Sequence, residues 1–440
     1  MHSSSRFLCR HLAPLAAVAA LALFAPAPAL AGGMALTTQN GSQLGLGYSG
    51  GAAAEDASTV YFNPAGLAFL EHGQVAATAT WVKFDTGFAN TGSTTGGLLP
   101  TTGPDAGDAG QDRLIPTAYM AYPVSKSVVL GAGVSAPYGL ATEYPSDWVG
   151  RYHAIKSELV TINATLAASI RLSPQLSLGI GIDHQTADAE LTNALDLGLA
   201  GYVAGVPGFA PGSADATVRI QGDDARTGFN LGVLYEIAAG TRVGAHYRSR
   251  MEHELRGEAR FTDVAAPFAP VFADQKVTAP LALPEVYSLS FMHHFTPDLA
   301  ITADWSVWAW SCFDRLTVDF ENPGTPDFDQ VQDWKNASIY SLGARWQKSD
   351  QLTVRAGLVY NETPVPNAER RTARIPDSDR TWLCFGVGWQ FNAEIRGEFG
   401  YAHLFFKDAS IANDDGAGHL LVGRYESSAD ILSAQLGWSF

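Results

Sequence analysis

The sequence predicts an all-β fold, a transmembrane antiparallel β-barrel of about fourteen strands with an N-terminal hatch plugging the lumen. Three observations carry that expectation. Leu432, Ala434, Leu436, Trp438 and Phe440 at the end of the chain are apolar, whereas Ser433, Gln435, Gly437 and Ser439 between them are small or polar. A period of two is a strand with one greasy face and one wet face. The same alternation recurs along the chain, and an export signal opens it.

The signal is read first. Arg6 and Arg10 make a positive n-region, Leu12 to Phe24 an apolar h-region, and Ala29-Leu30-Ala31 a small-x-small cleavage site. The apolar run is shorter than the ~20 residues that span a bilayer, so residues 1–31 read as a signal peptide and the mature chain starts at Gly32. No later apolar run is long enough for a transmembrane helix. Of the 440 residues 46% are hydrophobic, 11% aromatic and only 16% charged, against ~25% charged in an average soluble domain. Lys and Arg total 28 and Asp and Glu 44, a net charge of −16, which argues against nucleic acid as a partner. Cys312 and Cys384 follow the signal, and one disulfide or two unpaired thiols both fit them. Nothing calls for a cofactor or a metal.

The strands come next. Val160, Ile162, Ala164, Leu166, Ala168, Ile170 and Leu172 alternate with polar or small neighbours, Ser173-Pro174 turns, and Leu176, Leu178, Ile180 and Ile182 alternate again. This hairpin, the fourth and fifth strands, turns its apolar face to lipid and Arg171 and Asp183 inward. Phe229 to Ile237, Leu299 to Val307, Leu352 to Leu358 and Leu383 to Phe391 repeat the pattern. Short turns fall near Ser125-Lys126, Ser173-Pro174, Ala238 to Gly240, Thr296 to Asp298, Lys348 to Asp350 and Asn392 to Glu394. Long connections fall near 87–111, 138–156, 190–218, 255–280, 313–333, 362–380 and 407–422. Short periplasmic turns with long extracellular loops mark outer-membrane barrels, so residues 73–440 read as the barrel. A soluble sandwich of this length would split into domains, and no linker appears.

Residues 32–72 do not read as barrel strands. They are rich in Gly, Ala and Ser, yet Val60, Tyr61, Phe62, Leu67 and Phe69 make a dangling segment costly in water. The segment is therefore expected to fold back as a hatch. Gly51-Ala52 through Glu55-Asp56-Ala57, followed by Asn63-Pro64-Ala65-Gly66, resembles the hatch of the FadL family of outer-membrane long-chain fatty-acid channels. Tyr138-Gly139-Leu140-Ala141-Thr142-Glu143-Tyr144 is similar to the loop after that family's third strand, and Leu283-Pro284-Glu285 to the approach to its eighth. Pro364-Val365-Pro366 with Ile375-Pro376-Asp377-Ser378-Asp379-Arg380 is the most specific match.

The resemblance implies a cofactor-free uptake channel for hydrophobic molecules, foremost long-chain fatty acids. Its partners would be outer-membrane lipid, lipopolysaccharide and the barrel-assembly machinery, and it would act as a monomer. Two long connections are unexpectedly apolar. Leu191, Leu195 and Leu199 fall at helical spacing, and Phe261, Val264, Phe268 and Phe272 mark the other. Exposed apolar patches mark binding sites, and the resemblance makes these the capture loops. It likewise makes Arg171, Lys335 and Arg380 carboxylate-binding candidates, each of which could instead pair with hatch acids such as Glu55 and Asp56. Arg370, Arg371 and Arg374 read as a solvated basic stretch. In the third strand Gly131, Ala132, Gly133 and Ser135 precede Ala136-Pro137. Gly and Pro weaken a ladder, and the resemblance implies a kink here that opens the wall sideways into the membrane. Plain glycine packing against the hatch is the alternative. Related channels for aromatic hydrocarbons are a second reading, because neutral solutes need no cation. An outer-membrane hydrolase is remote, because Asp183-His184, His293-His294 and Asp223-Asp224 sit in no catalytic motif. The plug argues against an aqueous diffusion porin.

Overall fold

The computed structural model describes residues 33–97 and 99–440. The expected signal peptide, its Ala29-Leu30-Ala31 cleavage site and Gly32 lie outside the described residues. Fourteen strands close one antiparallel ring. They are β1 (Gln74–Asn90), β2 (Arg113–Pro123), β3 (Val128–Ser135), β4 (Lys156–Arg171), β5 (Leu176–Asp196), β6 (Asp215–Ala238) and β7 (Thr241–Arg248), then β8 (Val286–His294), β9 (Leu299–Trp308), β10 (Ala337–Gln347), β11 (Leu352–Asn361), β12 (Arg380–Gln390), β13 (Ile395–Phe406) and β14 (His419–Ser439). The ring closes where β14 pairs with β1, from Gln74↔Ser439 to Asn90↔Gly423. The tight turns all open at the end where β1 begins and β14 finishes, which is the periplasmic end of an outer-membrane barrel.

The alternation places the residues as read. Leu166 is 71% exposed and Ile182 59% on the lipid face, while Thr161, Asn163, Thr165 and Asp183 are buried on the lumen face. Closure gives every strand of the ring a neighbour on both sides. One expectation is corrected. The stretches 190–218 and 255–280 are not mainly irregular loops. β5 and β6 run on beyond the membrane, joined there by a hairpin of Met251–Thr262 and Gln275–Leu283 that pairs with β6 from Arg256↔Asp223 to Thr262↔Thr217. Outside the bilayer the outward face turns ionic, as in the Glu190–Arg219 pair at 2.7 Å. The inward face keeps Val218, Ile220, Leu255 and Val277. The ladder continues because only the solvent of one face has changed.

The hatch fills the lumen. Asn40 caps helix α1 (Gly41–Gly45) by accepting from the Gln43 amide at 3.0 Å. Helix α2 (Thr59–Phe62) leads to Asn63, which caps a 3-10 turn, Pro64–Phe69, by accepting from Ala65 at 3.1 Å. Pro64 occupies the first helical position, where its missing donor costs nothing. Leu44, Leu46, Val60 and Leu67 are fully buried against the wall. The wall makes room with glycine. A Cβ on Gly232 would lie 2.1 Å from Asn63 Oδ1, and one on Gly179 2.3 Å from the Ala65 nitrogen.

Candidate functional site: a hatched lumen beneath apolar loops

The hatch is pinned to the wall around its circumference. Asn63 Nδ2 donates to the Val233 carbonyl at 3.2 Å and the Ala245 carbonyl at 3.3 Å. The Ala65 carbonyl accepts from Ser169 at 3.1 Å and Ser177 at 2.9 Å. Glu55 bridges Arg345 at 2.9 Å and Arg355 at 2.7 Å, and Arg355 also holds Glu398 at 2.7 Å. Asp56 accepts from Gln435 at 2.8 Å. Asn63-Pro64-Ala65-Gly66 is thus a structural joint, in which one side chain both caps a turn and reaches two strands.

Above the hatch lies a narrow, mainly apolar cavity. Met34, Leu140, Leu159, Leu191, Ile220, Leu255, Val277, Leu281, Phe313 and Ile375 line it, together with Glu158 and Arg374. Leu191 and Leu195 join Phe261 in one cluster around Val218 and Ile220. Phe209 meets Phe268 edge-on at 5.5 Å, and Phe272 stacks obliquely on Phe261 at 5.7 Å. The two apolar connections therefore do come together, and Leu191 continues them into the cavity. Their helical reading is corrected: Leu191 and Leu195 are in β5, and only Leu199 lies in helix α3 (Leu197–Val203). Val264 is half-buried in the same outer hairpin.

The cations are not gathered into one place. Arg380 is buried on Asp377 at 2.6 Å, and Asp377 also accepts from Thr363 at 2.6 Å and from the Gly33 amide at 3.0 Å. Arg171, at the periplasmic end of β4, donates to the Ala68 carbonyl and lies over the Phe69 ring at 4.8 Å. Lys335 is exposed in the extracellular connection before β10. The residue that does line the cavity is Arg374, and here the reading of a solvated basic stretch is overturned. Arg370 is half-buried beside Asp333, but Arg371 is 8% and Arg374 2% exposed. From Arg371 onward the connection folds inward, held by Tyr144 donating to the Ala373 carbonyl at 2.6 Å and Thr142 to the Arg374 carbonyl at 3.2 Å. Arg374 donates to Ser157 at 3.2 Å and Asn193 at 3.0 Å, with its guanidinium 5.4 Å from the Phe328 ring centre. Among the described residues it forms no ion pair, and burial pushes its pKa down to about 10. A single sequence signal separated it from its neighbours, the adjoining Ile375-Pro376, which marks a segment packed inward.

The third strand departs from its neighbour, but not where its glycines are. Gly131, Ala132 and Gly133 pair regularly with β2, at Ala121, Met120 and Tyr119. Gly131 lies against Val60 and Leu67 of the hatch, so glycine packing is what that residue does. The ladder with β2 stops at Ala118↔Val134, although β2 continues back to Arg113. Ser135 pairs only with Asn163 of β4, and past Pro137 the chain resumes with β4 at Gly139↔Val160. Proline, lacking a donor, ends the pairing. Cys312 and Cys384 are free thiols.

On the extracellular side a polar hub ties the loops together. His419 Nδ1 bonds Asp415 at 2.6 Å, its Nε2 faces Asp196 at 3.3 Å, and Tyr152 stacks on its ring at 4.1 Å. Asp196 caps α3 by accepting from the Leu199 amide at 2.7 Å and takes Thr95 at 3.1 Å. Burial opposes protonation of His419, but Asp196 and Asp415 overrule it and hold its pKa at about 9.

A closed barrel with lipid outside, a wedged hatch inside and an apolar cavity beneath apolar surface loops defines an outer-membrane transport protein for hydrophobic molecules. Comparison with known proteins places it more narrowly. The chain belongs to the family described as outer membrane protein transport protein (OMPP1/FadL/TodX), whose profile matches residues 22–440. It is 26% identical to the long-chain fatty acid transport protein of Escherichia coli O6:H1, over 88% of this chain and 89% of that one. It is 28% identical to outer membrane protein P1 of Haemophilus influenzae, over 95% and 97%. Among solved structures it resembles a Pseudomonas aeruginosa FadL homologue, with a TM-score of 0.85 and 25% identity over 93% of this chain and all of that one. The fold is also that of the Pseudomonas putida toluene transporter TodX, with a TM-score of 0.70 at 18% identity over 87% and 94%. The protein is thus an outer-membrane β-barrel of a family of transport channels.

Proposed function

We propose that this protein takes up long-chain fatty acids. The acyl chain is captured between the connection carrying Leu191, Leu195 and Leu199 and the hairpin carrying Phe261, Val264, Phe268 and Phe272. It passes into the cavity beneath them and leaves sideways into the membrane past Pro137. The observation that carries the reading is Arg374, a buried guanidinium that among the described residues pairs with no acid, in the wall of a mainly apolar cavity whose one lining acid, Glu158, is itself paired with Arg113 and Lys156. A neutral solute gives such a charge nothing, whereas a carboxylate pairs with it through a planar fork. Of the cations singled out in the sequence, Arg380 acts on the hatch through Asp377, Arg171 steadies Phe69, and Lys335 attracts anions at the extracellular approach. Val134 to Pro137, including Ser135, form the lateral exit. The chain works as a channel and not as an enzyme. It matures by loss of residues 1–31, carries its hatch in 32–72 and its barrel in 73–440, and acts as a monomer among lipid and lipopolysaccharide after insertion by the barrel-assembly machinery.

The test is binding of oleate and of a neutral alkene of equal length to purified wild type and Arg374→Ala. A charge-assisted hydrogen bond is worth roughly 1.5–3 kcal/mol, so oleate affinity should fall about ten- to a hundred-fold while the alkene is unaffected. Equal losses for both would make Arg374 a packing residue. Indifference of both, with tight binding of an aromatic hydrocarbon, would favour that solute class instead.

A further inference from the structure

The break between β2 and β3 leaves backbone groups of the third strand without a neighbouring strand, and the hatch supplies their partners. Ala136 donates to Gln39 Oε1 at 3.0 Å, and its carbonyl accepts from Gln39 Nε2 at 2.6 Å. One side-chain amide thus makes both bonds that a ladder would have made. Gln39 is fully buried, its Nε2 also donates to Leu36 O at 3.0 Å, and its own carbonyl accepts from Thr117 of β2 at 2.8 Å. Gln39 therefore touches both lips of the break. Just before it, Leu36 donates to the Pro137 carbonyl at 2.8 Å and Gly139 to the Met34 carbonyl at 2.8 Å, so Ala35 and Tyr138 form an antiparallel bridge. Met34 in turn lines the apolar cavity. The strap 33–39 is at once the seal of the wall and one side of the cavity.

We propose that Gln39 is the latch of the lateral exit. Its carboxamide holds the strap across the break, and losing those two bonds frees the strap to leave the wall and the cavity together. The inference rests on the lateral-release reading above and adds to it the positioning residue that keeps the exit shut. A carboxamide suits the task because it carries one acceptor and two donors without charge. The seal is then neutral, indifferent to pH and weaker than an ion pair. Two neutral hydrogen bonds contribute modestly, enough to close the exit and few enough to be undone.

The test uses the full chain in lipid vesicles, loaded with oleate. Gln39→Leu keeps the bulk and removes both bonds. It should speed amide exchange at Ala136 and Gly139 and release of oleate into the bilayer, each by about ten-fold. Gln39→Asn, which is too short to span the break, should behave the same way and guards against a folding defect of the first variant. A second chain carries Gln39→Cys and Thr117→Cys, joined by a short cleavable thiol reagent. It should bind oleate but not release it until the link is cut. If the staple blocks release but both single variants exchange and release at the wild-type rate, lateral exit stands and the latch is overturned. If the stapled chain releases oleate at the wild-type rate, lateral exit itself fails and the latch with it.

Discussion

Arg374 stands in the extracellular connection and Arg380 opens β12 directly after it, and both are buried, yet they do opposite things. Arg380 has Asp377 at 2.6 Å and through it the Gly33 amide, so its charge is used in holding the start of the strap. Arg374 has only neutral partners. The difference decides what each substitution does. Removing one partner of a buried ion pair strands the other, at a cost of ~3–5 kcal/mol. Arg380→Ala should therefore lower the temperature at which the barrel loses its heat-modifiable folded form, while the fraction that folds binds oleate within about two-fold of wild type. A selective loss of affinity at unchanged melting temperature would instead make Arg380 a carboxylate site. The sequence reading ranks the two the other way round, with Arg380 a carboxylate candidate and Arg374 part of a solvated stretch, because what separates them is whether an acid lies within reach after the loop has folded inward. The hatch motif was more legible, because Asn followed by Pro is a cap whose chemistry is local.

At the scale of elements, the apolar connections owe their position to the hub around His419. The groups facing the imidazole are Asp196 from the start of α3, Asp415 from its own connection, and Tyr152 and His153 from the connection before β4. Arg151 and Asp215 close the network behind Tyr152. The folded pKa of about 9 lies above the ordinary imidazole value. The histidine's contribution is therefore complete below ~6.5 and is lost as pH rises through about 9. Asp196 and Asp415 are held below the ordinary carboxylate value by His419 and nearby amides in spite of burial, so their share is present above ~4 and fades as pH falls further. Protection of the α3 amides, meaning their exchange relative to the intrinsic rate at the same pH, should thus be greatest between ~5 and ~7 and fall on the alkaline side, a fall that His419→Gln should abolish. Protection that does not change with pH in the wild type would show that the loops are held by apolar contact alone. The strands themselves were legible because period-two alternation is a property of neighbouring residues. The hub was not, since His419 and Asp196 lie 223 residues apart and neither belongs to a motif. The outer hairpin was missed for another reason. Once a strand leaves the bilayer its outward face becomes polar, and a polar run with glycine reads as a loop.

For the whole molecule, closure of the ring rests on β14, which pairs with β13 on one side and with all 17 residues of β1 on the other. Phe440 finishes it, donating its amide to the Gly73 carbonyl at 2.8 Å with its ring 4.8 Å from that of Trp438. Deleting Phe440 should lower the yield of folded barrel in the outer membrane while the barrels that do form transport oleate normally. Normal yield with impaired transport would reverse that assignment. The wedged hatch has a consequence for the order of events in biogenesis. Hatch residues leave the ribosome first, but some of their wall partners come almost last, as with Gly41, whose amide meets Gln435 across 394 residues of chain. The hatch backbone rests on glycines such as Gly179 and Gly232, with no space to slide past a completed wall. A finished tube could not be filled afterwards. The sheet is therefore expected to curl around a segment already in place, with the β1–β14 seam, the longest-range strand pairing among the described residues, zipping last. Long-range pairing of that kind is slow and leaves an open, aggregation-prone edge until it is done. In this protein the plug is also the form on which the barrel is shaped.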